Sequence, residues 1–183
     1  MRIVAGEFGG RTLKTLSGRD VTRPTTDKVR GAIFNMLGGF FEGGCVLDLY
    51  AGTGALGIEA VSRGCACAVL VDQNRAAQAV IAENIAMTKV PEKFELLKMV
   101  DRQALVTLMG ESYELIFLDP PYARERLVEV LCDLQEKTLL APGARVVCES
   151  AREVELPDKV EGLIKWKEKV YGITRVVIYE KQL

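Results

Sequence analysis

The 183-residue chain contains no histidine, and its five cysteines, Cys45, Cys65, Cys67, Cys132 and Cys148, are odd in number. A zinc site would have to be built from cysteine alone, and Cys65-Ala66-Cys67 lacks the spacer of a structural zinc site, so no metal is expected. The cysteines lie mostly in apolar runs and read as buried free thiols. No apolar run is long enough to cross a bilayer, and Met1-Arg2-Ile3-Val4 does not open a leader of charged, apolar and small residues. The expectation is a soluble, cytoplasmic protein with no membrane association. Repeats, low-complexity tracts and linkers are also lacking, and the length suits one domain with a full core. Net charge is only −1, but residues 1–30 hold seven basic side chains against Glu7, Asp20 and Asp27. A basic front on a mildly acidic body can address a polyanion, or it can be an ordinary solvated surface.

What is present from residue 45 onward is an alternation of short apolar runs with amphipathic stretches, the pattern of an α/β fold. Strands are expected at 45–50, 67–72, 94–100, 113–118 and 144–149, and helices at 55–63, 74–87, 102–109 and 124–134. Residues 163–170 and 174–179 flank Tyr171-Gly172 and read as a terminal hairpin, with Trp166 as part of its packing. At the front, residues 2–5 and 11–16 flank Gly9-Gly10 as a small hairpin. Arg23-Pro24-Thr25-Thr26-Asp27 then opens a helix with threonine at the N-cap and a stripe of Val29, Ile33, Met36 and Leu37, ended by Gly38-Gly39. Residues 1–22 are thus read as a basic hairpin appendage and 23–183 as the core of a single domain.

Val46-Leu47-Asp48-Leu49-Tyr50-Ala51-Gly52-Thr53-Gly54-Ala55-Leu56-Gly57 is a strand, a tight glycine turn and a helix start. It contains G-x-G-x-x-G, and Asp72 follows at the spacing of a ribose-gripping acid, so a dinucleotide must be considered. Asp48 weighs against it, because it points an anion at the turn where a pyrophosphate would lie. S-adenosylmethionine has no phosphate and carries an ammonium group that Asp48 could hold, directly or through water. Ala51, Gly52 and Gly54 would then form the cofactor turn and Asp72 would take the ribose hydroxyls. Asp101 could accept from the adenine amino group, or it could simply cap a helix.

The run Tyr113-Glu114-Leu115-Ile116-Phe117-Leu118 leads directly into Asp119-Pro120-Pro121-Tyr122. The prolines hold the backbone extended as it leaves the sheet. Asp119 and the Pro120 carbonyl can each accept one N–H of a planar amine, and Tyr122 offers a face on which a base can stack. This is chemistry for alkylating an amino nitrogen, although the same four residues also suit a plain proline-rich turn.

With these motifs the chain resembles a class I S-adenosylmethionine-dependent methyltransferase, and in particular the bacterial 16S rRNA guanine-N2 methyltransferase D family. The likeness is carried by Arg2-Ile3-Val4-Ala5-Gly6, Gly10-Arg11, Arg23-Pro24-Thr25, Asp27-Lys28-Val29-Arg30, Ala32-Ile33-Phe34-Asn35, the glycine loop, Glu59-Ala60, Ser62-Arg63-Gly64, Phe117-Leu118-Asp119-Pro120-Pro121-Tyr122 and Tyr171-Gly172. The resemblance implies a Rossmann-like, mostly parallel seven-stranded sheet ordered 3-2-1-4-5-7-6, with an amino-terminal hairpin reaching towards RNA. It implies methylation of one guanine in 16S rRNA, on the small ribosomal subunit or an assembly intermediate, with no obligate protein partner. Asp119, Pro120 and Tyr122 are the expected catalytic residues. Arg2, Arg11, Lys14, Arg23 and Arg30 are the expected phosphate contacts, unless Arg23 and Arg30 pin the first helix instead. The rival readings are a DNA adenine or cytosine amino-methyltransferase and a cofactor- and RNA-binding protein without catalysis.

Overall fold

The computed structural model describes residues 1–17, 25–120 and 124–183. Its frame is one mixed sheet in the order β3-β2-β1-β4-β5-β8-β7-β6. The strands are β1 (Cys45–Asp48), β2 (Cys67–Val71), β3 (Phe94–Leu97), β4 (Tyr113–Leu118), β5 (Leu140–Ala151), β6 (Lys159–Val160), β7 (Leu163–Tyr171) and β8 (Thr174–Lys181). The first five run parallel, and β8 joins β5 antiparallel, followed by β7 and β6. Among the described residues the sheet therefore has eight strands where the resemblance implies seven. The additional β6 is two residues long, with Val160 opposite Leu163, too short for any periodicity to announce it. Without β6 the order is the expected one.

Helices α1 (Asp27–Met36), α2 (Ala55–Ser62) and α3 (Arg75–Met87) cover one face, and α4 (Asp101–Thr107) and α5 (Arg124–Glu136) cover the other. Local chemistry sets their ends. The Thr26 hydroxyl accepts the Val29 N–H and Asn74 Oδ1 accepts the Ala77 N–H, so backbone donors that the helix itself cannot satisfy find partners at the starts of α1 and α3. Gly57 lets α2 lie against the sheet, because a Cβ there would fall 2.2 Å from Leu70 Cδ2.

Residues 1–17 are not a free arm. A bridge between Arg2 and Thr12 closes a small hairpin, and Ile3, Phe8 and Leu13 are buried in the same apolar cluster as α1, α2 and α3. Burial of three such side chains contributes on the order of 5 kcal/mol. The segment is a strap over α2 and α3. Glu7 N–H donates to the carbonyl of Ser62, the last residue of α2, so the hairpin tip lies at the end of the sheet where β1 and β2 begin.

The expectation of five free thiols is corrected: Cys45 and Cys67 form a disulfide, and Cys65, Cys132 and Cys148 are free. The two bonded residues stand directly opposite in the β1–β2 ladder with Cα atoms 4.8 Å apart, within bridging range. Only the strand register brings them together. No helix among the described residues is long and apolar enough to cross a membrane, and no group of potential metal ligands is found among them.

Candidate active site

The carboxyl ends of parallel strands carry acids at four positions. Asp48 ends β1, Asp72 follows β2, Asp101 opens α4 after β3, and Asp119 follows β4. Crevices at this edge of an open α/β sheet are where ligands bind. Asp48 is buried, and its Oδ2 accepts the Gly57 N–H at 3.2 Å. Burial pushes its carboxyl up to about 7, opposed by that hydrogen bond and helped by the charges of Asp119 and Asp72. Asp72 fastens the glycine loop: Oδ2 accepts the Gly52 N–H at 2.9 Å and Oδ1 the Asn74 N–H at 2.9 Å. Gly52 and Gly54 have φ of 60° and 82°, which glycine adopts without strain. A Cβ on Gly52 would meet nothing within 4 Å, so space lies open above the loop. Ala51 is buried, and its N–H donates to the Val71 carbonyl.

Asp101 is neither a bare acceptor nor the cap of α4. Val100 occupies the cap position and Asp101 is the first helical residue. Its Oδ2 accepts from Tyr50 Oη and from Arg126 Nη2, both at 2.6 Å, and its Oδ1 accepts the Arg102 N–H at 2.7 Å. Although burial raises its pKa, these hydrogen bonds and the Arg126 charge outweigh it and leave the carboxyl below its ordinary range. Arg126, on α5, is a partner that sequence spacing did not reveal.

Across β4 lies the second half of the site. Asp119 is open to solvent, yet burial pushes its carboxyl up to about 6. Solvent access amid dense protein describes a concave position. Pro120 beside it is buried, while Pro121 and Tyr122 lie outside the described residues. The residue that sequence reasoning missed is Glu149, near the end of β5. It is 4% exposed, its Oε2 accepts from the Thr25 hydroxyl at 2.9 Å, and its Oε1 has no hydrogen-bond partner among the described residues. Burial first, and then the charge of Asp119, push its carboxyl up to about 8. The signal was present, because an acid closes the apolar run Val146-Val147-Cys148 as Asp48 closes β1.

Register shows which way these acids face. Asp48 stands opposite Phe117, Phe117 opposite Val147, and Glu149 opposite Val176. Phe117, Val147 and Val176 all belong to the cluster under α1, α2 and α3. Side chains alternate along a strand, so Asp48, Asp119 and Glu149 project from that same face.

The expected phosphate contacts separate. Arg30 is fully buried; Nε donates to Glu59 Oε1 at 3.2 Å, and Nη2 donates to Asp27 Oδ1 at 2.9 Å and to the Arg2 carbonyl. It is therefore corrected from a phosphate contact to the pin of α1, the other role its sequence position allowed. Arg11 donates to the Met87 and Thr88 carbonyls at the end of α3, at 3.3 and 3.2 Å. Lys14 pairs with Glu83 at 2.6 Å on the surface. Arg2 is exposed near the start of α1, where its N–H faces the Asp27 carboxylate. Arg23 lies outside the described residues. Lys28, Val29 and Ala32 of α1 line a cavity of about 330 Å³ together with Tyr171 and Gly172 of the β7–β8 turn. Trp166, on β7, is partly exposed, with the Arg145 guanidinium of β5 3.6 Å from its ring centroid.

The arrangement offers acceptors around an open glycine loop, and none of Asp48, Asp72 or Asp119 is paired with a cationic side chain among the described residues. Such a donor set suits hydroxyls and a cationic group and repels a pyrophosphate.

Comparison with known proteins places the fold. Residues 1–180 match the family model described as Conserved hypothetical protein 95. The Bacillus subtilis protein YlbH is 39% identical over the whole of both chains. The ribosomal RNA small subunit methyltransferase D of Escherichia coli is 33% identical, covering all of this chain and 90% of its own. The solved structure of Escherichia coli YhhF superposes with a TM-score of 0.87 at 33% identity, covering all of this chain and 98% of its own. By fold and full-length kinship, the chain belongs to the ribosomal RNA small subunit methyltransferase D family.

Proposed function

We propose that this protein transfers a methyl group from S-adenosylmethionine to the exocyclic N2 amino group of one guanine in 16S rRNA. The observation that carries the reading is Asp119: a solvent-accessible carboxyl at the end of β4, on the same sheet face as Asp48 and beside the glycine loop. When bound, the cofactor supplies a sulfonium methyl with its leaving group already in place. Asp48 and Asp72 fit its ammonium and ribose hydroxyls, with the Ala51, Gly52 and Gly54 turn beneath. The adenine amino group is assigned to Asp101, whose carboxylate retains acceptor capacity beyond Tyr50 and Arg126.

The acceptor base leaves its stack and enters the concave position at β4. Asp119 and the Pro120 carbonyl hold the two amino hydrogens, and the Tyr122 ring packs on the base. The N2 lone pair is delocalised into the ring, so orienting it at the methyl supplies much of the rate. Asp119, or water beside it, takes the proton lost as the N–C bond forms. Arg2 and Lys14, exposed on the strap and not held by the carbonyls that engage Arg11, are assigned to RNA phosphates.

The test is to incubate the purified protein and radiolabelled S-adenosylmethionine with RNA or partly assembled small subunits from cells lacking this gene. Digestion should release labelled N2-methylguanosine. Label on adenine or cytosine would overturn the guanine assignment, and no label with intact cofactor binding would favour a non-catalytic protein.

A further inference from the structure

Glu149 has one oxygen occupied and one idle. Its Oε2 is held by Thr25, while Oε1 is enclosed and without a partner among the described residues. Native proteins pair nearly all buried polar atoms, so an idle acceptor at a site edge points to a group that arrives from outside. The side chain faces the same side of the sheet as Asp119 and Asp48, one strand away from Asp119. Adjacent strands stand about 4.8 Å apart. Two carboxyls at that spacing can reach neighbouring donors on the edge of a single base. Arg30 also faces Glu149, and its charge lowers the carboxyl's pKa. Its Nη1 is likewise buried without a partner, so the guanidinium does not occupy Oε1.

We propose that Glu149 is a second base-facing carboxyl of the acceptor site, whose Oε1 receives the ring imino N–H beside the amino group held by Asp119. The inference rests on the guanine reading above and adds a selectivity element to it. Guanine presents imino and amino N–H groups side by side, which two ionised carboxyls match as acceptors, Asp119 above about 6 and Glu149 above about 8, so the preference is read above pH 8. Adenine and cytosine present a ring lone pair beside the amino group, and an acceptor oxygen there meets that lone pair unfavourably. Thr25, just ahead of α1, acts through Glu149 by fixing which oxygen is idle, and is a positioning residue.

The experiment pairs enzyme variants with substrate variants. Once the labelled guanosine is located, RNA is made with guanosine or 2-aminopurine riboside at that position; the latter keeps the amino group and lacks the imino N–H. Wild type should prefer guanosine. Glu149→Met, similar in length and without an acceptor, should lower kcat/KM for guanosine about tenfold, ~1.4 kcal/mol, and raise it for 2-aminopurine, whose ring lone pair no longer meets an acceptor oxygen. The ratio between the bases should therefore collapse. Glu149→Gln, which retains an acceptor oxygen, should restore part of it. Calorimetric binding of S-adenosylmethionine checks that each variant is folded; where Glu149→Met fails that check, Thr25→Val should show a smaller fall in the same ratio. An unchanged ratio overturns the proposal, whether the variant is fully active or uniformly slower, because Glu149 then only supports the fold. Absence of labelled guanosine with wild type overturns the guanine reading itself, and this inference with it, and is seen before any variant is made.

Discussion

Arg30 Nε donates to Glu59 Oε1 at 3.2 Å with neither side chain exposed to solvent. Glu59 also accepts the N–H groups of Val4 and Ala5 on the strap, at 2.8 and 3.0 Å, and Arg63 Nε at 2.9 Å. One carboxylate thus joins the strap, α1 and α2. Removing Glu59 takes the shared acceptor from Arg30, Arg63 and the strap at once, so Glu59→Ala should lose about 3–5 kcal/mol of stability, and Arg30→Ala less, because Arg63 still pairs with Glu59. Urea denaturation measures this. A loss no larger than that of an exposed ion pair would show that the network is dispensable.

Asp119→Ala should reduce methyl transfer by about 10²-fold or more while leaving cofactor affinity unaltered. Asp119→Asn keeps an acceptor but cannot take the proton, and should fall between. Single-turnover transfer read beside calorimetric binding separates the two roles, and equal transfer by the alanine variant would remove Asp119 from the chemistry.

The pH dependence follows from the three raised carboxyls, Asp119 at about 6, Asp48 at about 7 and Glu149 at about 8. Each binds its proton more tightly folded than unfolded. Their contribution to stability is full below the ordinary carboxylate range and is lost as pH rises through those values. The urea midpoint should therefore decline from about pH 5 to about pH 8, and Glu149→Gln should flatten the upper part of the decline. Transfer runs the other way at the acid end, rising through about 6 as Asp119 ionises. A midpoint that climbs over this range would contradict the assignment.

Neutralising Arg2 and Lys14 should weaken RNA binding and lower the slope of log affinity against log salt by about 1 for each phosphate no longer neutralised. Arg11 serves as the comparison, because it is engaged by the carbonyls ending α3. Its replacement should alter stability more than salt dependence, and an equal slope change for all three would place the strap tip on RNA as well.

Thiol titration of the unfolded chain without reductant should find three reactive groups, Cys65, Cys132 and Cys148, and two more after reduction. Cys45→Ser should lose about 3 kcal/mol in oxidised protein. Five reactive thiols at the outset would show the pair to be open.

Much of this site could be read along the chain because its acids share one signal, a carboxylate at the end of an apolar run. Asp48 and Asp119 carry it ahead of glycine or proline punctuation, and Asp72 at a fixed spacing from Gly52, which is what made them stand out. Glu149 carries it in the middle of a longer strand, and its burial, idle oxygen and bond to Thr25 exist only once β5 lies beside β4. Arg30 admits two roles in the sequence for a related reason. A basic residue on a basic segment reads as surface until Asp27, Glu59 and the Arg2 carbonyl converge on it from three parts of the chain. The caps at Thr26 and Asn74 were local chemistry and required no such convergence.

The strap also sets an order of assembly during synthesis. Arg11 waits for Thr88, 77 residues later, and Thr25 waits for Glu149, 124 residues later. At roughly 5–20 residues per second, those intervals are on the order of 4–15 and 6–25 s. Ile3, Phe8 and Leu13 therefore leave the ribosome as an apolar thread with nothing to cover it until α2 and α3 have followed. The clasp at Thr25 closes later still, so a nascent chain completes its glycine loop well before its acceptor pocket.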